Sequence, residues 1–293
     1  MPCAHSEPVS HFSPAIPRFM KGRIPVNALQ SRLLVIGFVL IGFDSQAAAA
    51  SLPFGQITTG TISSVAQSNS YTFSANAGDA VDFTMVATSG NLSPKIALYN
   101  SSGTLISSAY GNNGFNNCGG SGLELNTVAL ASAGAYTLLV SDCSNTNTGN
   151  YSIYAQRTNN PAGAAGLSLG GQPQTGAVGS ITQSNTYILS GNANDVIDFT
   201  LVATGGNLSP KIRIYNSAGT QQIGYAYGNN GFNNCGGSGL ELNTLTLPST
   251  GTYTVLIGDC SDVNTGNYVI YTQRLNNPAG PGTISFGIPI FMR

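Results

Sequence analysis

Beyond residue 50, apolar and polar residues alternate in short runs along the chain. Tyr71, Phe73 and Ala75 are separated by Thr72 and Ser74, and Val81, Phe83 and Met85 by Asp82 and Thr84. The alternation continues through Ile96 and Leu98, then Tyr136, Leu138 and Val140, then Tyr151, Ile153 and Ala155. A period of two belongs to a strand with one face buried. Between the runs lie turn-forming clusters such as Ala77-Gly78-Asp79, Asn100-Ser101-Ser102-Gly103 and Asn147-Thr148-Gly149-Asn150. No stretch outside the N-terminal region combines helix caps with a 3.6-residue period. Seven or eight short strands in about 110 residues predict an all-β, two-sheet sandwich of jelly-roll type. On this reading Asp79 fixes the turn after Gly78, and Asp82 faces solvent from its strand.

The pattern occurs twice. Gly90-Asn91-Leu92-Ser93-Pro94-Lys95-Ile96 recurs from Gly206 to Ile212, and AYGNNGFNNCGGSGLELNT, from Ala109 to Thr127, recurs unchanged from Ala226 to Thr244. TGNYSIYAQRTNNPAG is matched near the C-terminus by TGNYVIYTQRLNNPAG. A period of this length is one domain, so the chain is expected to hold two tandem β-sandwich domains. Residues 51–161 form the first repeat, 162–170 a linker overlapping the Pro/Gly/Ala stretch Asn160 to Gly166, and 171–278 the second repeat. Residues 279–293, with Gly282-Thr283-Ile284-Ser285-Phe286-Gly287, begin a partial third.

Residues 1–50 read as a leader with a signal peptide, its true start at Met20. Basic residues Lys21, Arg23 and Arg32 precede the apolar run Leu33 to Phe43, and Ala47 to Ala50 offer a cleavage site. The run is too short for a bilayer, which takes about 20 residues, and no further span follows. The expected location is therefore secreted or cell-surface. Removing the leader leaves Cys118, Cys143, Cys235 and Cys260, with equal spacing of 25 inside each pair. An even cysteine count in an exported chain reads as disulfides, and the equal spacing selects Cys118–Cys143 and Cys235–Cys260.

Composition narrows the chemistry. Charged residues make up 7% of the chain, with ten Lys or Arg and eleven Asp or Glu; tryptophan is absent, and both histidines, His5 and His11, lie in the leader. Nucleic acid is a poor partner for so few cations, and imidazole chemistry has no group to perform it. Ser, Thr, Asn and Gln on the outer faces account for the low charge.

The G-x-I run, Tyr71 to Val81, Leu98 to Leu105, Gly134 to Val140 and Gly149-Asn150-Tyr151 together resemble the bacterial pre-peptidase C-terminal domain. The second repeat carries the same resemblance at Tyr187 to Val196, Ile214 to Thr220, Gly251 to Ile257 and Gly266 to Tyr268. The resemblance implies a secreted, non-catalytic β-sandwich of the kind that accompanies extracellular hydrolases and sometimes aids attachment to an insoluble substrate. The implied partners are an extracellular polysaccharide or a protein polymer. In calcium-binding relatives, acidic residues just before the first aromatic strand supply ligands. Gln67-Ser68-Asn69-Ser70 and Gln183-Ser184-Asn185-Thr186 stand there instead, so that site is not carried over.

Several constellations carry candidate chemistry. Asp79 with Asp82, and Asp195 with Asp198, are paired carboxylates of the kind used in glycoside hydrolysis, but their odd separation puts them on opposite faces of a strand. Asp142, Asp259 and Asp262 are candidate calcium ligands, their alternative being turn closure. Tyr110 and Phe115, with Tyr227 and Phe232 in the second repeat, are candidate stacking surfaces for sugars beside the Gly/Asn-rich segment Gly111 to Gly122. Ser93-Pro94-Lys95 places a serine near a lysine without a nucleophile elbow. The expected function is an extracellular binding, targeting or spacer module with no catalytic residue and no cofactor. The alternatives are a calcium-stabilised surface module and a carboxylate-dependent hydrolase.

Overall fold

The computed structural model describes residues 49–111, 117–228 and 234–278; residues 1–48 of the leader, Phe115, Phe232 and the partial third repeat lie outside them. No helix occurs among the described residues. The first repeat runs through β1 (Ala50–Ser51), β2 (Ile57–Ile62), β3 (Ser68–Ala75), β4 (Ala80–Ala87), β5 (Pro94–Tyr99), β6 (Leu105–Tyr110), β7 (Gly122–Ala129), β8 (Gly134–Asp142) and β9 (Gly149–Arg157). The second runs through β10 (Ala165–Leu167), β11 (Gln174–Val178), β12 (Asn185–Gly191), β13 (Val196–Gly206), β14 (Pro210–Tyr215), β15 (Gln222–Tyr227), β16 (Gly239–Thr246), β17 (Gly251–Asp259) and β18 (Gly266–Arg274).

Each repeat pairs a five-stranded sheet, β1-β3-β8-β5-β6 or β10-β12-β17-β14-β15, with a four-stranded one, β2-β9-β4-β7 or β11-β18-β13-β16. The pairing is antiparallel except where β1 joins β3 and β10 joins β12. Within the span read as a linker, Ala165–Leu167 is therefore a strand of the second sandwich.

The inward residues of each alternating run form the cores. Phe73, Phe83, Leu138 and Ile153 meet in the first; Leu189, Phe199, Val255 and Ile270 meet in the second. Tyr71 and Tyr151 share a hydroxyl hydrogen bond of 2.7 Å inside the first sandwich, and Tyr187 and Tyr268 repeat it in the second. Gly60 makes room for this pair, since a Cβ there would lie 2.3 Å from the Tyr151 hydroxyl.

Both cysteine pairs are bonded as the spacing predicts, Cys118 to Cys143 and Cys235 to Cys260. Each sandwich thus carries one disulfide, closing a loop of 25 residues.

One expectation is overturned. Asp82 does not face solvent: it is 3% exposed, and β4 is buried on both faces from Ala80 to Val86. The second sandwich covers the outer side of this strand.

Candidate functional site

Two arrangements concentrate the polar chemistry of the described residues: a pair of equivalent clefts beside the disulfides, and a charged seam between the sandwiches.

Each cleft forms where the turn before β5 or β14 approaches the disulfide loop. The first, of about 530 Å3, is lined by Asn91, Ser93, Gly119, Ser121 and Asn147 among others; the second, of about 560 Å3, is lined by Asn207, Ser209, Gly236, Ser238 and Asn264. Asp142 ties the first together. Its carboxylate accepts the Ser93 amide at 2.9 Å, the Thr146 amide at 3.0 Å, the Asn147 amide at 3.1 Å and the Ser144 hydroxyl at 2.7 Å. Burial alone would raise its pKa, but these donors, led by Ser144 and Ser93, together hold it down at about 2. Asp259 does the same in the second cleft, accepting the Ser209, Val263 and Asn264 amides, and its pKa is likewise lowered against the effect of burial.

Calcium takes several converging oxygen ligands, whereas the carboxylate oxygens here are engaged by hydrogen-bond donors. Asp142 and Asp259 turn their oxygens toward N–H and O–H donors. Asp262 turns away toward Lys211, which donates to it at 2.9 Å. Among the described residues, no group of three or more His, Cys, Asp or Glu converges to hold a metal. Ser93 is engaged as well, its hydroxyl accepting the Gly119 amide at 2.9 Å. Lys95 lies instead over the Tyr110 ring, 5.4 Å from the centroid. Tyr110 and Tyr227 end β6 and β15, and neither ring is among the residues lining the clefts.

The paired carboxylates also have structural partners. Asp79 accepts the Asn76 amide at 2.9 Å and pairs with Arg157 at 3.2 Å; Asp195 accepts the Asn192 amide and pairs with Arg274 at 3.1 Å. Asp82 accepts the Thr127 amide at 2.6 Å and Asp198 the Thr244 amide at 2.6 Å. Thr127 and Thr244 stand at a β-bulge with φ of 58° and 59°, which is uncommon for a β-branched residue. The aspartate holds that backbone in place.

The seam is the arrangement that sequence reasoning missed. It joins the outer face of β2-β9-β4-β7 to the outer face of β10-β12-β17-β14-β15. Lys211 donates to Glu124 of the first sandwich and to Asp262 of its own. Arg213 donates to Asn126 at 2.7 Å and to Glu124 at 3.3 Å, and lies 3.7 Å from Asp82. The Tyr215 hydroxyl donates to Asp82. Around this centre, Tyr154 donates to the Ser184 carbonyl at 2.6 Å, Gln156 to the Thr186 hydroxyl at 3.0 Å, and Thr158 to the Gly219 carbonyl at 2.7 Å.

Lys211 and Arg213 are 2% and 3% exposed. Burial opposes their charge, but the facing carboxylates prevail and hold both cations firmly protonated. Glu124 is pushed up by burial and pulled down harder by Arg213 and Lys211, ending well below the usual carboxylate range. Asp82 and Asp262 are raised, chiefly by burial, Asp262 to about 7. With Asp82, Glu124 and Asp262 set against Lys211 and Arg213, one carboxylate is in excess, so a proton is favoured on the acids.

A signal for the seam was present in the differences between the repeats. Lys95-Ile-Ala97-Leu-Tyr99 corresponds to Lys211-Ile-Arg213-Ile-Tyr215, and Asn145 to Asp262. Arg213 and Asp262 are new charges on otherwise repeated outward positions. Position 145 or 262 also has φ of 58° or 62°, where Asn and Asp are tolerated best, so local backbone demand restricts the choice to residues of this kind.

No protein-family model matches the chain, and no curated protein matches it. Among solved structures, it is similar to the pre-peptidase C-terminal domain of collagenase from Bacillus anthracis, at 15% identity and a TM-score of 0.30, covering 39% of this chain and 99% of that one. It is also similar to A223, a turret protein in Sulfolobus turreted icosahedral virus, at 11% identity and a TM-score of 0.17, covering 74% of this chain and 96% of that one. A third likeness is to an anti-sigma factor domain-containing protein from Clostridium clariflavum, at 8% identity and a TM-score of 0.19, covering 71% and 79%. Likenesses at this level assign no activity to the chain.

Proposed function

We propose that the chain is an exported, non-catalytic tandem of pre-peptidase C-terminal type, acting as a rigid extracellular spacer. The buried charged seam carries this reading. Five ionisable side chains, Asp82, Glu124, Lys211, Arg213 and Asp262, are committed to joining the two sandwiches, and a buried pair broken by removing one partner costs about 3–5 kcal/mol. Such a joint resists bending, unlike a flexible linker. Small-angle scattering from the full chain tests it. One rigid arrangement in low and high salt is expected; a broad spread of distances between the sandwiches in the unaltered protein would refute the spacer.

A second reading, a binding role, is favoured by the equivalence of the two clefts. Their amides and hydroxyls suit a hydroxyl-rich polysaccharide or the exposed backbone of a protein polymer. Retention of the full chain on an insoluble polysaccharide or on collagen, weakened by Asn91→Ala together with Asn207→Ala, is the expected result. Uniform failure to be retained would leave the spacer alone. The reading includes no resident metal, because donors already fill the coordination positions of Asp142 and Asp259. A chelator is therefore expected to leave the melting temperature unchanged, and a fall would reinstate calcium.

A further inference from the structure

The seam has a socket and a plug, and each recurs on the other sandwich. The socket is the outer face of β2-β9-β4-β7, where Asp82, Thr84, Val86, Glu124, Tyr154 and Gln156 meet the second sandwich. The corresponding positions of β11-β18-β13-β16 carry Asp198, Thr200, Val202, Glu241, Tyr271 and Gln273, the same residue types in the same order. Their burial differs sharply. Val86 is 1% exposed and Val202 43%; Tyr154 is 4% exposed and Tyr271 38%.

The second socket is also built like the first at the level of hydrogen bonds. Asp198 accepts the Thr244 amide as Asp82 accepts that of Thr127, and Asn243 donates to Glu241 as Asn126 donates to Glu124.

The plug is the outer face of β14, carrying Lys211, Arg213 and Tyr215. Its counterpart on β5 carries Lys95, Ala97 and Tyr99, with Lys95 and Tyr99 half-buried at the surface. This face keeps the lysine and the tyrosine and lacks the guanidinium. Its charge complements the second socket, whose acids are Asp198 and Glu241.

We propose that the uncovered face of the second sandwich docks a second copy of this chain, head to tail, through the β5 face of that copy's first sandwich. Lys95 of one chain then takes Glu241 of the next, and Tyr99 takes Asp198, as Lys211 and Tyr215 do within the chain. A contact between two different faces leaves one socket and one plug at the ends, so it propagates into an open array, or into a ring where its rotation closes. Ala97 in place of Arg213 makes the contact between chains weaker than the seam within one, and salt weakens it further. The inference rests on the observed seam and not on the spacer role, which scattering tests separately.

Sedimentation of the full chain in low salt, over a concentration series reaching ~1 mM, tests the proposal. Concentration-dependent association is expected, with Lys95→Glu and Glu241→Lys each abolishing it. Mixing those two variants restores opposite charges at every junction and is expected to restore association as an alternating array. Ala97→Arg is expected to tighten the contact by ~10-fold or more by supplying the missing guanidinium. Melting curves matching the unaltered protein certify that the variants are folded. A monomer at every concentration in both the unaltered protein and Ala97→Arg overturns the proposal. So does association that survives both charge reversals, or a mixture of the two variants that stays monomeric.

Discussion

Asp82 and Asp198 occupy the same place in two sandwiches of repeated sequence, and each holds the same strained threonine at the same bulge. Only Asp82 is fully buried, with Tyr215 and Arg213 against its second oxygen. Along the rest of that face the contrast persists: Ser152 and Gln156 are 1% exposed, while Val269 and Gln273 are only partly covered. The local fold makes an outward position, and a neighbouring domain decides whether outward means water. A carboxylate that looks like solvated surface in both repeats is surface in one and an interior charge in the other.

The sharpest way to break this comparison is to remove the equivalent lysines. Lys211→Met leaves Glu124 and Asp262 buried with one cation fewer, and is expected to destabilise the docked tandem by about 3–5 kcal/mol. Lys95→Met removes a partly exposed cation over Tyr110 and is expected to change stability by no more than about 0.5 kcal/mol. Urea unfolding of the two variants measures both, and equal losses would end the distinction between the faces.

A smaller effect is expected at equivalent turn glycines. Gly103 and Gly219 have φ of 77° and 70°, so alanine is strained at either one, by about 1–2 kcal/mol. Nothing lies within 4 Å of a Cβ at Gly103, whereas a Cβ at Gly219 would lie 2.4 Å from the Asn159 amide nitrogen at the seam. Gly219→Ala is therefore expected to cost roughly 1 kcal/mol or more beyond Gly103→Ala, because backbone must shift to relieve the contact. Calorimetric melting of both variants compares them; the order reversed would place the seam elsewhere.

The smallest effect concerns pH. Asp262 has a folded pKa of about 7 against an ordinary 3.8, because burial and Glu124 outweigh Lys211. The folded protein thus holds this proton more tightly than the unfolded chain. The resulting stabilisation is complete below about pH 4 and lost as pH rises toward 7. Glu124, shifted downward, acts oppositely: its contribution is present above about pH 4.5 and lost in acid. The melting temperature is expected to fall as the pH rises from 5 to 8. Asp262→Asn, which installs the residue the first repeat already has at Asn145, is expected to flatten that fall. A slope unchanged in the variant would assign the titration to another group.

Much of the fold was legible in the residues. Two-residue alternation identified the strands, the unbroken stretch from Ala109 to Thr127 and its copy identified the repeat, and equal cysteine spacing identified the disulfides. Asp79 closing its turn was legible too, because an Asx side chain bonding nearby backbone is a local interaction. The clefts were only half visible. Asp142 and Asp259 stood out as a cluster with neighbouring Asn, but whether their oxygens face cations or amide hydrogens depends on how the turn before β5 or β14 meets the loop after β8 or β17.

By itself, the sequence determined which residues point into each sandwich and which point out, since a strand's pleat permits only those two choices. The tertiary structure alone decided that one outward face of the first sandwich and one of the second would cover each other, burying Asp82 and Glu124 against Lys211, Arg213 and Tyr215. The physical reason is that alternation encodes the geometry of a single strand, whereas burial of its outer face depends on a surface more than eighty residues away in the chain. Only complementary charge and shape, realised once both domains are folded, bring the two together.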